Sequence, residues 1–333
     1  MKNNKAHIFL LVTLFLFTFS LRFIHLGADP PKTLSISMGY MSDPGGYVHN
    51  ARNKILFGTW ETDKWNMMYV SPLAHYITYA IFLIFGPGIA QVNIVPALFS
   101  CLILLFTYFV LKVEFDRKIA CLGVLLLGTN YIFTMFSQVA VRILPMVFFV
   151  LLSLFFLSKK NLNKKTCYFL AGVMCFISFT VKGTFLQILP SVALGILLYS
   201  FFQNQQKLKP AIHALFLFGL GLTAIMLLWL FLIYFPHKET FLPFGSSNYF
   251  WLTPHRYSEL IQNFWHRPLF YFINMPILTT LASLYLLSFF YRAFSFPKKI
   301  SIVTWICGLW IIFNIPYFSV IYYRPARHFI PLI

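Results

Sequence analysis

The stretch Ser71-Pro-Leu-Ala-His75-Tyr-Ile-Thr-Tyr-Ala-Ile-Phe-Leu-Ile-Phe-Gly86 decides the fold, because its reading sets the side of the membrane on which every later loop falls. Its 16 residues fall short of the about 20 that a spanning helix needs. It opens with Ser-Pro and carries His75, which suits a short span or a helix lying in the interface. Five compact basic segments choose between the two: Lys2/Lys5, Lys112/Arg117/Lys118, Lys159/Lys160/Lys164/Lys165, Lys207/Lys209 and Arg292/Lys298/Lys299. Short cytoplasmic loops collect Lys and Arg. If 71–86 crosses the membrane, the later basic loops land outside. If it lies at the interface, all five segments fall inside, so the stretch reads as an interfacial helix within one long external segment, residues 27–91.

Outward from that stretch, apolar runs that read as spans lie near 8–26, 92–111, 119–136, 143–157, 166–181, 184–202, 211–235, 276–291 and 300–323. The chain has 333 residues, 59% of them hydrophobic and only 10% charged, against roughly 45–50% and about 25% in a soluble domain. That excludes a soluble enzyme and predicts an all-α fold, a polytopic transmembrane bundle of about nine or ten spans. The net charge of +18 is accounted for by the basic loops and calls for no nucleic-acid partner. Ala6 to Leu21 lack a cleavage pattern and read as a retained anchor. Another apolar run begins at His328 just as the chain stops at Ile333, which reads as a truncated carboxyl end of a single domain, residues 1–333. Cys101, Cys121, Cys167, Cys175 and Cys307 all fall in apolar runs without metal or redox spacing.

This topology leaves Ser137–Arg142, the Lys182-Gly183 joint, a second large loop over 236–275, and Arg324 onward as the other external pieces. The two long loops hold Asp29, Asp43, Glu61, Asp63, Glu239 and Glu259, six of the eight acids. No acid falls in mid-membrane, which argues against a proton-relay carrier.

The first external loop is the richest in chemistry. It reads Asp43-Pro-Gly-Gly-Tyr47, Ala51, Leu56-Phe-Gly-Thr-Trp60, then Ser71-Pro-Leu-Ala-His75-Tyr76. The spacing puts a carboxylate at the mouth of a short helix, with Tyr47 and Ala51 on one face; an Asp there reads equally well as an N-cap. External cations run against the topological bias and need another reason to be present. Arg142, Lys182, Arg324 and Arg327 are of that kind: Arg suits bidentate and Lys point-charge contact with phosphate, whereas snorkelling to headgroups is the plain alternative for each. His49, His75, His255, His266 and His328 lack the pairing of a helical zinc site.

The order of these motifs resembles the integral-membrane C-type glycosyltransferases, in particular the protein O-mannosyltransferase and aminoarabinose-transferase branch. The resemblance continues through Arg142, Thr180-Val-Lys182-Gly183 with Pro190, and Tyr323-Arg-Pro-Ala-Arg-His-Phe-Ile-Pro331. It implies a polyprenyl-phosphate-linked sugar as donor, transfer on the external face, and an essential acid that maps onto Asp43. Many members follow that Asp with a second acid; here Pro44 stands in its place, leaving Asp29, Glu61 or Asp63 as second acids and a divalent metal as an open requirement.

The chemistry fits one carboxylate. A phosphate leaves without a general acid, so a single base suffices where a glycosidase needs a pair. The expected roles are Asp43 as catalytic base or acceptor-orienting group, Arg142, Lys182, Arg324 and Arg327 on the donor phosphate, and Tyr47, Glu61, Asp63 and His75 as substrate contacts. The expected partners are the lipid-linked donor, membrane lipids and a lipid, glycan or protein acceptor, at a bacterial inner membrane. A carrier or flippase of lipid-linked substrates, and a polysaccharide polymerase or ligase, are the alternatives.

Overall fold

The computed structural model describes residues 2–27, 43–61, 67–159, 162–183, 187–239 and 276–320. Among them there are thirteen α-helices and no strand. They are α1 (Lys2–Phe23), α2 (Asp43–Phe57), α3 (Met67–Val70), α4 (Pro72–Phe85), α5 (Ile89–Glu114), α6 (Arg117–Gly128) and α7 (Tyr131–Phe136), then α8 (Ile143–Ser158), α9 (Lys164–Val181), α10 (Leu189–Gln203), α11 (Leu208–Trp229), α12 (Pro276–Ser295) and α13 (Ile302–Val320). Ile89–Glu114, Lys164–Val181 and Leu208–Tyr234 are long and apolar enough to cross a membrane by themselves, and shorter apolar helices pack beside them. Large apolar side chains stay exposed along α1 (Phe9, Leu16), α11 (Phe216, Leu228) and α12 (Leu284, Leu287). That is the surface expected of helices whose outer solvent is lipid rather than water. The fold is a polytopic all-helical membrane bundle.

Two small-residue contacts set the helix crossings. A Cβ on Gly172 of α9 would collide with the Phe218 carbonyl of α11, and one on Gly221 of α11 with the Phe169 carbonyl of α9. Backbones can approach this closely only where a side chain is missing. Gly195 of α10 makes room in the same way for Ile306 of α13.

Residues 119–136 form two helices rather than one run. Asn130 breaks the helix and caps the next one, its side chain accepting from the Phe133 amide at 2.9 Å. The carbonyl of Gly128, freed at the end of α6, takes a hydrogen bond from the Arg22 guanidinium of α1. Arg22 is fully buried, bonds the Thr18 carbonyl at 2.7 Å and lies 5.2 Å from the centre of the Phe133 ring.

The α5–α6, α8–α9, α10–α11 and α12–α13 connections gather at one end of the bundle, bringing Lys112, Arg117, Lys159, Lys164, Lys207 and Lys298 to that end. Gln203 Nε2, for example, reaches the Lys298 carbonyl at 2.7 Å. The opposite end carries the C-terminus of α1, the helices α2 and α4, the start of α8 and the last turn of α9. Contacts that tie this end together include Ser178 Oγ to the Met146 carbonyl (3.0 Å) and Asn93 Nδ2 to the Leu26 carbonyl (2.7 Å).

Candidate active site

At that second end, the residue before α8 is placed by a tight turn. Gln138 Nε2 donates to the Leu21 and Ile24 carbonyls at 2.7 and 2.9 Å, satisfying groups left over at the end of α1. The turn through buried Val139, Ala140 and Val141 then delivers Arg142 as the cap residue of α8. Arg142 Nη2 donates to the Tyr47 carbonyl of α2 at 2.9 Å and to His75 Nε2 of α4 at 2.6 Å. A guanidinium only donates, so His75 Nε2 is the acceptor and the ring proton sits on Nδ1. The guanidinium carbon lies 4.5 Å from the centre of the Tyr47 ring.

Lys182 arrives from another direction, as the first residue past α9. Its Nζ lies 5.7 Å from the same Tyr47 ring centre. Arg142 is 5% and Lys182 8% exposed, so neither snorkels to a headgroup. Lys182 Nζ and Arg142 Nε have no hydrogen-bond partner among the described residues. Burial pushes the Arg142 guanidinium down to about 10. Burial first, then the positive charge of Arg142, push the Lys182 ammonium down to about 7.

A small cleft, partly open to solvent, adjoins Arg142 and is lined by Tyr47, Thr78, Val92, Pro96, Arg142 and Pro145; Lys182 reaches it only through the shared Tyr47 ring. Two cations and an aromatic ring beside a mainly apolar cleft are groups chemically suited to an anion on an apolar tail. Hydrogen-bonding capacity is left open at both cationic heads, so an anion here would take bonds that nothing else among the described residues takes.

Four of the residues singled out from sequence thus meet: Tyr47, His75, Arg142 and Lys182. Asp43 is the first residue of α2, one turn ahead of Tyr47. Glu61 is elsewhere: it is exposed and accepts from the Tyr69 hydroxyl, while the Tyr69 ring stacks on His237 with centres 3.7 Å apart. His237 opens the second long loop, so this contact joins the two loop regions. Asp29, Asp63, Arg324, Arg327, His255, His266 and His328 lie outside the described residues. Among the described residues no three His, Cys, Asp or Glu side chains cluster to hold a metal. Sequence reading missed Gln138, Thr78 and the Tyr69–His237 stack. Only Gln138 carried a signal, as an uncharged polar residue in a short joint between apolar runs.

Residues 69–229 match the model of the dolichyl-phosphate-mannose-protein mannosyltransferase family. No curated protein matches the chain in sequence. Among solved structures, that of ArnT from Cupriavidus metallidurans bound to undecaprenyl phosphate superposes with a TM-score of 0.69 over 97% of this chain, at 16% identity. The chain spans 57% of the length of that protein. The matched segment contains His75, Arg142 and Lys182, and the superposition includes the helices that carry them. The chain is therefore a polytopic all-helical membrane protein that shares the fold of the ArnT structure and, over residues 69–229, matches the model of the dolichyl-phosphate-mannose-protein mannosyltransferase family.

Proposed function

We propose that the chain is a glycosyltransferase taking a hexosyl or pentosyl group from a polyprenyl-phosphate donor on the external face of the membrane, the periplasmic face of a bacterial inner membrane. The observation that carries this reading is the buried Arg142–Lys182 pair, whose open donors suit a phosphate beside an apolar cleft. The fold it shares with an ArnT structure bound to undecaprenyl phosphate supports the same class of donor. Residues 1–333 act as one membrane domain, with 27–91 and 236–275 as its external loops.

In the reaction, an acceptor hydroxyl oxygen bonds to the anomeric carbon as the bond from that carbon to the phosphate oxygen breaks. The electron pair leaves with the polyprenyl phosphate, and the hydroxyl proton passes to the Asp43 carboxylate. A single displacement inverts the anomeric centre. Because Asp43 and Tyr47 belong to one helical turn, the base and the phosphate site are positioned by the same rigid element. Arg142 stabilises charge as it develops on the leaving phosphate. Arg324, Arg327 and Asp63 complete the donor and acceptor contacts in this reading, with Glu61 at the acceptor side.

The test is a transfer assay in proteoliposomes with a radiolabelled pool of polyprenyl-phosphate sugars. Wild type moves label out of the lipid, and Asp43→Asn, which keeps shape and removes charge, slows this by about 10²-fold or more. Equal rates in a folded Asp43→Asn would remove the base assignment. Label that crosses the bilayer while still on its lipid would instead identify a carrier.

A further inference from the structure

Arg142 and Lys182 share one buried site, in which Lys182 Nζ and Arg142 Nε have no hydrogen-bond partner among the described side chains; the acid of α2, Asp43, stands at the start of that helix, one turn ahead of Tyr47. Tyr47 of α2 faces both heads, and behind Arg142 stands His75 of α4, already committed as an acceptor. On its other side α9 packs against α11 through Phe176, Phe179 and Trp229, which bring no titratable group. Two cations held together out of water repel, and each forfeits solvation. Arg142 has hydrogen-bonded acceptors that favour its charged form, whereas Lys182 Nζ has none among the described residues and so yields its proton the more readily.

A phosphate entering the site reverses this balance, since it supplies both the acceptors and the negative charge that Lys182 lacks. We propose that occupancy of this site by a lipid phosphate monoester is coupled to uptake of one proton at Lys182 Nζ, which makes Lys182 the residue that matches the site to the charge of the phosphate it holds. The inference rests on the donor class proposed above and extends it. A sugar linked through phosphate to a lipid is a diester with one negative charge, which Arg142 answers. After transfer the lipid phosphate is a monoester with about −1.5 to −2 charge at pH 7. Lys182, once protonated, supplies the second positive charge that the monoester demands. Departure of the lipid phosphate returns that proton to water, and the site is reset.

The experiment is titration calorimetry of the full chain in detergent with polyprenyl phosphate as probe, at pH 8 in two buffers of different ionisation enthalpy. The expected result is uptake approaching one proton per phosphate bound, and a wild-type Kd that rises about tenfold per pH unit above pH 7.5. Lys182→Arg, charged at every pH used, binds without this uptake. Lys182→Met binds weakly at pH 6.5 and approaches wild type at pH 9, so a folding defect is told apart from loss of the coupling. Equal proton uptake by wild type and Lys182→Arg overturns the proposal while leaving the donor class standing. Absence of any binding overturns both. Proton-linked binding without sugar transfer leaves the coupling intact and removes the transferase reading.

Discussion

Arg142 and Lys182 were legible as candidates because each is a cation in a joint that the positive-inside reading of the sequence assigns to the external side, where positive residues are disfavoured. Their burial was not legible: it depends on Tyr47 folding over them from α2, a contact between residues 95 positions apart in the Arg142 case. The low proton affinity of Lys182 has a consequence for stability. Its ammonium is held at about 7 in the folded chain against 10.5 ordinarily, so between these values the unfolded chain binds the extra proton. Stability of the ligand-free protein therefore rises with pH from about 7 to about 10.5, by at most about 1.4 kcal/mol per pH unit for this one group. It levels off below 7, where both states are protonated. Thermal melting in detergent between pH 7 and 9.5 is expected to show this rise in wild type and a flatter profile in Lys182→Met.

The helices with sustained apolar runs, such as α5, α8, α9 and α11, were readable because lipid demands such runs. The interruption at Asn130 was not, since its effect depends on capping within a stretch that is apolar on both sides. The stretch 71–86 forms α4, and its buried His75, Ala74, Thr78 and Phe82 show one face turned into the protein. A glycine inside a hydrophobic run says little about its neighbours, so the α9–α11 crossing emerged only in three dimensions. Gly221→Ala forces the backbones apart at Phe169, and a loss of about 1–3 kcal/mol is expected from overpacking. Unfolding in a graded denaturing detergent checks this, with Gly219→Ala, which meets open space, expected to stay close to wild type.

The distribution of charge over the whole molecule follows from its connections. Basic residues collect at the end where α5–α6, α8–α9, α10–α11 and α12–α13 join, and the Arg142–Lys182 site occupies the other. Single cysteines introduced at exposed Thr59 and Gln206 into a cysteine-free background are expected to label from opposite sides of the membrane with an impermeant maleimide, Thr59 from outside. Labelling of both from one side would contradict the topology on which an external active site rests. The proposed donor class has a linear trace in the order of short motifs, whereas an acceptor would be chosen by residues from several loops and leaves no such trace.

The claim that a phosphate of the donor sits on the buried cation pair is tested most directly by the KM for polyprenyl-phosphate sugar in Arg142→Ala. Removing a buried, hydrogen-bonded charge from a ligand site costs about 2–5 kcal/mol. A rise in KM of about 10²-fold or more is predicted, with His75 and Tyr47 left in place and the protein still monodisperse. A KM equal to that of wild type in a folded Arg142→Ala would contradict the account.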